Sequence, residues 1–218
     1  MNKVEKKLDV LCLGAAVVDI PLRPVSREVF DIESYPVDNI AMAVGGDAMN
    51  ESTIISRLGC KTGLMAAIGD DAAGAFILRS CDEDNIDTEG VTIDPNLNTS
   101  INIGLVTEDG ERTFITVQGA ECHFKKEWFE QIDMDNYENI YIAGYQVCGK
   151  SGEIISQWLK TVENVEEKHI FFAPGPMITA IESETMENLF ALKPILHINE
   201  AEAKGYTQQE NVEEAVRA

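Results

Sequence analysis

Histidine and paired cysteine are scarce in this sequence. The 218 residues include three histidines and five cysteines, and no two cysteines form a Cys-x-x-Cys pair. This scarcity argues against a histidine-rich metal site, a zinc site and a recognisable catalytic triad. Unpaired cysteines spread along a chain are typical of reduced thiols, so we expect a cytoplasmic protein.

Positive charge is scarce as well. Lys and Arg together number 17 against 38 Asp and Glu, which gives a formal net charge of −21 at pH 7. Such a chain repels the phosphates of nucleic acid and the surface of an anionic membrane, so we expect neither partner. A nucleotide substrate stays open, because a metal ion and a few backbone amides can set the electrostatic field inside a cleft.

The N-terminal region lacks a long apolar run. The apolar stretch that begins at Val10 ends before Asp19 and is too short to cross a bilayer. No small-residue cleavage site follows it, so the sequence does not predict a secretory leader. We therefore expect no membrane partner.

Short apolar segments alternate with helical patterns along most of the chain. Buried strands are predicted at 10–13, 63–68, 140–143, 170–173 and 195–198. Amphipathic helices are predicted at 48–58, 152–161 and 183–192. This alternation is typical of a doubly wound, mostly parallel sheet flanked by helices, and we interpret residues 1–218 as a single α/β domain of that class.

A second β pattern interrupts that alternation. Between Asn98 and Val117, apolar residues alternate with smaller or polar ones on either side of an Asp109-Gly110 turn, which predicts a hairpin. The proline-containing stretch 20–44 lacks helical periodicity and can supply further edge strands. We predict a small β-sheet lid with strands from about 17–44 and 98–118.

The most specific stretch of the chain runs from Gly45 to Gly74. Gly45 and Gly46 have no Cβ, so backbone amides can approach a ligand closely there, and a helix that starts after them points its free N–H groups at that ligand. Asn50 follows one helical turn later and can both donate and accept hydrogen bonds, as an alcohol requires. Alone, a glycine pair is more typical of an ordinary turn that caps a helix.

The spacing of the whole stretch resembles the N-terminal signature of the PfkB (ribokinase-like) family of carbohydrate and nucleoside kinases. The residues that stand where the signature requires them are Gly45, Gly46, Ala48, Asn50, Ser52, Gly59 and Gly69. The resemblance implies a ribokinase-like fold and transfer of the γ-phosphoryl group of ATP to a hydroxyl of a small sugar, with a nucleoside open as the alternative acceptor. It also implies that the lid covers the sugar and can join two copies into a homodimer.

The same resemblance implies a sugar site made of Asp19, Gly45, Gly46 and Asn50. Asp19 comes soon after the first predicted strand, where open α/β sheets place ligand contacts, although a solvent-exposed loop acid is the simpler alternative. The stretch 99–103 is a further candidate to contact the substrate.

Asn199 and Glu202 follow the last predicted strand and stand three residues apart, so they share one helix face. They resemble the family's Asn-x-x-Glu motif, which implies that they serve the magnesium and phosphate end of ATP, with Glu202 reaching Mg²⁺ through water. Mg²⁺ needs few protein oxygens because it keeps several waters. Taken alone, this short motif is more typical of a helix cap.

Three features depart from the family pattern. Glu121 stands where a Gly-Ala-Asn turn is common, and Ala173 stands where many relatives have Asp or Asn. The family's Gly-Ala-Gly-Asp motif, with its catalytic base and anion hole, does not occur in the 218 residues. The resemblance therefore predicts a base beyond Ala218, a missing C-terminal part and an inactive fragment. A sugar-binding module without catalysis is the rival from another class, and a dinucleotide-binding oxidoreductase is disfavoured because Gly14-Ala15-Ala16 lacks the glycine spacing of that fingerprint.

Overall fold

The computed structural model describes residues 7–217, which form two β-sheets and their flanking helices. The strands are β1 (Leu8–Leu13), β2 (Val17–Arg23), β3 (Asn39–Ile40), β4 (Ala43–Gly45), β5 (Thr62–Gly69), β6 (Val91–Asp94), β7 (Ile101–Val106), β8 (Arg112–Val117), β9 (Tyr137–Ala143), β10 (His169–Ala173) and β11 (Ile195–Leu196). The α-helices are α1 (Asp47–Arg57), α2 (Ala72–Glu83), α3 (Gly149–Leu159), α4 (Ser183–Phe190), α5 (Glu200–Thr207) and α6 (Val212–Arg217).

The larger sheet has the strand order β11-β10-β9-β1-β5-β6, and its neighbouring strands pair in parallel. All eight residues of β5 are buried, as are five of the six in β1, because helices cover both faces of the sheet. The sequence prediction of a mostly parallel, doubly wound sheet is confirmed. Strands β1, β5, β9 and β10 lie where the sequence placed them and extend one to three residues further.

The last predicted strand is partly wrong. The sequence predicts a buried strand over 195–198, whereas β11 contains only Ile195 and Leu196, which are 53% and 38% exposed. The reason is its position at the edge of the described sheet, where it pairs with β10 on one side. An edge strand has a row of unpaired backbone groups and less cover for its side chains.

The smaller sheet has the order β3-β2-β7-β8, with β4 paired to β2. Strands β7 and β8 form the predicted hairpin, whose turn has Gly110 at a φ of +91° and a hydrogen bond from the Gly110 N–H to the Thr107 carbonyl. Because side chains alternate between the two faces of a strand, residues paired across the sheet share a face. One face carries Asp19, Asn102 and Thr116, and the other carries Ile20, Ile103 and Ile115.

The helices confirm the helical part of the pattern. Helix α1 begins directly after Gly46, and α2 is capped by Asp71, whose Oδ1 accepts the Gly74 N–H at 2.8 Å, in agreement with the capping predicted for Asp70 or Asp71. Asp71 Oδ2 also accepts the Thr99 N–H at 2.8 Å, which ties α2 to the start of the lid hairpin. None of the helices within residues 7–217 combines the length and the apolar character needed to cross a bilayer.

Candidate active site

The strand order places a crevice at the carboxyl ends of β1 and β9. From β1 the chain adds β5 and β6 on one side of the sheet and then β9, β10 and β11 on the other side. At such a topological switch point the connections leave in opposite directions, and open α/β sheets bind ligands in the gap between them. Ala15 follows β1 and Tyr145 follows β9, and both residues line the cavity that opens there.

This larger cavity has a volume of about 920 Å³ and lies between the carboxyl ends of the main sheet and one face of the lid sheet. The lid contributes alternate residues of its strands, as the period of two requires. Its lining residues from the lid are Val17, Asp19, Ser100, Asn102, Phe114, Thr116 and Gln118. Ser100 and Asn102 lie in the stretch 99–103 that the sequence singled out.

Asp19 lies in the stretch 17–44 that the sequence predicts to supply lid strands, just beyond the carboxyl end of β1. It lies inside β2, and Asn102 Nδ2 donates a hydrogen bond to its Oδ1 at 2.9 Å. The chain turns directly from β1 into the lid, and this turn brings the carboxylate back over the crevice. Asp19 therefore lines the cavity from the lid side, and the alternative of an exposed loop acid does not describe it.

At both Gly45 and Gly46, a side chain would collide with neighbouring atoms. A Cβ on Gly45 would lie 2.7 Å from Asp19 Cγ, so any larger residue would displace that carboxylate. Gly46 is the N-cap of α1 and has a φ of +93°, a conformation that L side chains rarely adopt. A Cβ on Gly46 would also lie 2.7 Å from the carbonyl carbon of Ala15. Gly46 lines the cavity, and Gly45 makes room for a residue that does.

Asp47, which the sequence reasoning missed, lines both this cavity and a smaller one beside it. Its Oδ1 accepts hydrogen bonds from the N–H groups of Ala15 at 2.9 Å and Ala48 at 2.8 Å. Its Oδ2 is buried without a hydrogen-bond partner. Burial raises the pKa of the Asp47 carboxyl above its ordinary value, and nearby backbone N–H groups, including that of Tyr145, partly offset this effect.

Asn50 lies on the first turn of α1, where its N–H bonds to the Gly46 carbonyl at 3.0 Å. Its side chain is exposed, and it does not belong to the described residues that line either cavity. The role of Asn50 in sugar binding stays a prediction from the resemblance.

The smaller cavity, of about 310 Å³, lies next to the larger one at the carboxyl ends of β9, β10 and β11. Asn199 and Glu202 line it and form a complete capping box at the start of α5. The Asn199 side chain accepts the Glu202 N–H at 2.9 Å, and Glu202 Oε2 accepts the Asn199 N–H at 3.1 Å. The capping alternative is therefore correct, and it leaves both side chains at the cavity wall.

The wall of the smaller cavity offers carboxylate oxygens, a chemistry that fits a hydrated magnesium ion. Asp47, Glu51 and Glu202 supply carboxylate oxygens, the ligands that Mg²⁺ prefers. Within residues 7–217, no three His, Cys, Asp or Glu side chains stand close enough together to hold a metal directly. An ion that keeps its waters and meets one or two carboxylates through them suits this arrangement.

Glu121 and Ala173, the two departures from the family pattern, lie at different cavities. Glu121 is 5% exposed and lines the larger cavity, and its carboxylate accepts the Gly119 N–H at 3.0 Å and the Cys122 thiol at 3.3 Å. Ala173 lies at the end of β10 and lines the smaller cavity, to which it contributes no polar side chain.

Sequence reasoning also missed the residues that follow β9. Tyr145 and Gln146 line the larger cavity, and Gln146 is 4% exposed with a buried Oε1 that has no hydrogen-bond partner. A useful signal was present, because these residues come directly after a predicted buried strand. What the sequence did not reveal was that β9 lies beside β1.

The comparison with protein families matches residues 7–218 to the family described as pfkB family carbohydrate kinase. The uncharacterized sugar kinase YegV of Escherichia coli (strain K12) is 26% identical over 208 residues, which cover 94% of this chain and 62% of that protein. A 5-dehydro-2-deoxygluconokinase of Photobacterium profundum is 32% identical over 90 residues, which cover 41% of this chain and 26% of that protein. The chain thus spans less than two thirds of the length of these relatives.

Solved structures of low sequence identity share the fold. A fructokinase from Xylella fastidiosa superposes with a TM-score of 0.79 at 16% identity, over 98% of this chain and 66% of that chain. The same fructokinase with bound ATP also gives a TM-score of 0.79 at 16% identity, over 97% of this chain and 68% of that chain. The ribokinase-like α/β fold predicted from the sequence is confirmed. With the family match running from residue 7 to residue 218, the chain belongs to the pfkB family of carbohydrate kinases.

Proposed function

We propose that the protein transfers the γ-phosphoryl group of ATP to a hydroxyl of a small sugar. The observation that carries this proposal is the pair of adjoining cavities at one sheet edge, which share Asp47 and Tyr145 in their walls. The larger cavity offers hydrogen-bonding side chains and room for a sugar, and the smaller one has carboxylates beside a helix N-terminus. Two substrates placed in these cavities would meet at Asp47.

In this proposal the sugar is oriented from the lid side. Asp19 keeps its Oδ2 for a sugar hydroxyl while Asn102 holds Oδ1, so the carboxylate is fixed before the sugar arrives. The resemblance adds the backbone of Gly45 and Gly46 and the side chain of Asn50 to this site. Phosphoryl transfer depends mostly on such positioning and on charge stabilisation, since little covalent chemistry falls to the protein.

Mg²⁺ and the phosphate end of ATP belong to the smaller cavity in this proposal. The Xylella fastidiosa fructokinase with bound ATP shares the fold, which supports ATP as the phosphoryl donor. Asn199 and Glu202 would hold Mg²⁺ through water, with Glu51 and Asp47 at the same wall. When bound, the ion would neutralise charge on the phosphates.

The hairpin of β7 and β8 is proposed to act as a lid. Phe114 and Thr116 face the cavity, and every residue of β8 is exposed, so this edge strand is held mainly by its pairing with β7. Closure over the sugar would keep water away from the transferred phosphoryl group.

An ADP-release assay on the full-length natural protein tests the proposed function. With ATP and Mg²⁺ present, a panel of neutral pentoses, hexoses and nucleosides is offered as acceptors. We expect one sugar to stimulate ADP release, and we expect Asp19→Asn to lower kcat/KM for that sugar about a hundredfold, because a hydroxyl loses a charged partner. Sugar binding without any sugar-dependent ADP release would favour the non-catalytic sugar-binding module.

A nucleoside is the second candidate acceptor. The aromatic rings of Phe114 and Tyr145 line the larger cavity, and a base could stack on either of them. An adenosine kinase from Sinorhizobium meliloti superposes with a TM-score of 0.75 at 19% identity, over 96% of this chain and 70% of that chain. ADP release that responds to a nucleoside and to none of the sugars would favour this candidate.

We also propose that the lid sheet joins two copies of the chain. Its outer face, opposite the cavity, is apolar and carries Ile40, Ile115 and Val117, which are 64%, 50% and 54% exposed. Exposed apolar surface of this kind is typical of an interaction site. Sedimentation should show a dimer that Ile115→Lys weakens, whereas Ile93→Lys, at a residue 47% exposed on β6, should leave it unchanged.

The proposed compartment is the cytoplasm. All five cysteines have free thiols, including Cys60 and Cys122 at the surface, which is compatible with a reducing environment. Labelling of intact cells with a thiol reagent that cannot cross membranes should leave Cys60 unmodified.

A further inference from the structure

The larger cavity has an unusual balance of charge. Three carboxylates line it, those of Asp19, Asp47 and Glu121. Among the lining residues that the structure describes, none is Lys, Arg or His. A ligand bound there meets negative charge from the lid, from the start of α1 and from the turn after β8.

Two lysines near this wall in sequence are engaged elsewhere. Lys150 follows the lining residue Gly149, but its Nζ pairs with Glu153 at 2.6 Å and its side chain is 75% exposed. Lys125 pairs with Asp94 at 2.5 Å. Neither contributes a positive charge to the cavity wall.

The hydrogen-bonding pattern adds an independent observation. Gln146 Oε1 and Asp47 Oδ2 are buried acceptors without a hydrogen-bond partner, and both residues line the larger cavity. Gln146 is 4% exposed, so water has little access to it. An unpaired buried acceptor is costly, and a ligand that donates hydrogen bonds relieves that cost. Hydroxyl and ammonium groups donate, whereas ionised carboxylate and phosphate groups only accept.

We infer that the acceptor of this kinase is an uncharged or amine-bearing polyol, and that Asp47 and Glu121 make the cavity reject acceptors that carry a carboxylate or a phosphate. The inference rests on the proposed function and narrows its substrate class. It also separates this chain from the 5-dehydro-2-deoxygluconokinases it resembles, whose name specifies a gluconate, an anion at neutral pH.

Matched pairs of probes isolate the effect of charge. D-gluconamide and D-gluconate share one carbon skeleton, as do D-glucuronamide and D-glucuronate, and each pair differs by one negative charge. Dissociation constants are measured by calorimetry on the full-length natural protein, together with D-glucose, D-fructose, D-ribose and D-glucosamine. We expect the amide of at least one pair to bind at least tenfold more tightly than its acid, because like charges a few ångströms apart repel strongly in a partly dry site.

Two conservative variants test the assigned residues. Glu121→Gln and Asp47→Asn each remove one negative charge and keep an oxygen that can accept the existing backbone hydrogen bonds. Each should lower the ratio of amide to acid affinity at least threefold. The control Glu163→Gln makes the same change at an exposed residue outside the cavity and should leave the ratio unchanged. Near-UV circular dichroism shows which variants fold, and either folded variant suffices for the test.

The outcomes separate this inference from the proposed function. Acids that bind as tightly as their amides, or ADP release driven by an acid and not by neutral sugars, would overturn the inference and leave the kinase proposal standing. A ratio that stays unchanged in both folded variants would also overturn it. If no probe bound and no acceptor stimulated ADP release, both the inference and the proposed function would be wrong.

Discussion

Gly45 has no side chain at the position where Asp19 places its carboxylate. A Cβ on Gly45 would lie 2.7 Å from Asp19 Cγ, which is far inside van der Waals contact. The two residues lie on the paired strands β4 and β2, where Asp19 is opposite Ala43. The first glycine of the signature therefore leaves space for the carboxylate of Asp19 in the lid, whether or not it also leaves space for a ligand.

Gly45→Ala should move the Asp19 carboxylate and lower the affinity for the acceptor sugar at least tenfold. The misplaced carboxylate would lose its alignment with Asn102 and with a sugar hydroxyl, and such a hydrogen bond to a charged group contributes about 1.5–3 kcal/mol. Gly205→Ala is the matched control, because its added Cβ meets only Thr179 Cγ2, at 3.8 Å. Calorimetry with the sugar found by the ADP-release assay measures both, and an unchanged affinity for Gly45→Ala would contradict the structural link.

Asn50→Ala should abolish sugar binding and leave the fold intact. The reason is its match to the signature and its place one turn after Gly46, since a site built for hydroxyls discriminates strongly when one partner is lost. Its side chain is exposed, so thermal stability should change by less than about 0.5 kcal/mol. Calorimetry and a thermal melt on the same sample check both parts. Binding at the wild-type affinity would remove Asn50 from the site.

Sugar should slow amide hydrogen exchange in the lid hairpin, residues 99–117. Strand β8 is an exposed edge strand whose pairing with β7 is its main protection until a ligand contacts Phe114 and Thr116. Strand β5, buried along its whole length, serves as the internal reference and should exchange slowly in both states. Equal exchange of the hairpin with and without the sugar would refute the lid.

Asp47→Asn should stabilise the fold more at pH 7 than at pH 4. Burial raises the pKa of Asp47 above its ordinary 3.8, so the folded state binds its proton more tightly than the unfolded state does. Wild-type stability is then lost as the pH rises from 3.8 through the raised pKa, by about 1.4 kcal/mol for each pH unit that separates the folded and unfolded pKa values. Asparagine does not ionise and escapes this loss.

Urea unfolding at the two pH values measures the difference between variant and wild type, which cancels the other titrating groups. Glu163→Gln, at an exposed site, should show no such pH dependence. A difference that is the same at both pH values, or larger at pH 4, would show that burial does not govern the ionisation of Asp47.

The sequence predicted the fold well where local pattern decides it. Buried apolar runs indicated the strands from Val10 to Ala173, and Asp109-Gly110 indicated the hairpin turn, because period and turn chemistry are local properties. Asp19 falls within the stretch 17–44 that was predicted to supply lid strands. The sequence did not reveal that the chain turns from β1 directly into the lid, because that turn has no distinctive local signal. The two residues of β11 were expected to be buried, but both are exposed. A local pattern does not show whether a strand lies at the edge or the centre of a sheet, because that position depends on strand order.

The residues of the candidate site were harder to predict from the sequence, because they too depend on strand order. Tyr145 and Gln146 belong to the cavity only because β9 pairs with β1, a contact between residues that are far apart in the sequence. Asp47 was hidden inside the recognised signature, between residues that the pattern specifies. Glu121 was noticed only as a departure, and the structure places its carboxylate at the cavity wall.

The most direct test of the account is a structure of the full-length protein with the acceptor from the ADP-release assay bound. The account predicts the acceptor in the larger cavity, with one hydroxyl within hydrogen-bond distance of Asp19 and the reactive hydroxyl directed toward Asp47 and the smaller cavity. An acceptor bound elsewhere, with Asp19 in contact only with Asn102, would contradict the central claim.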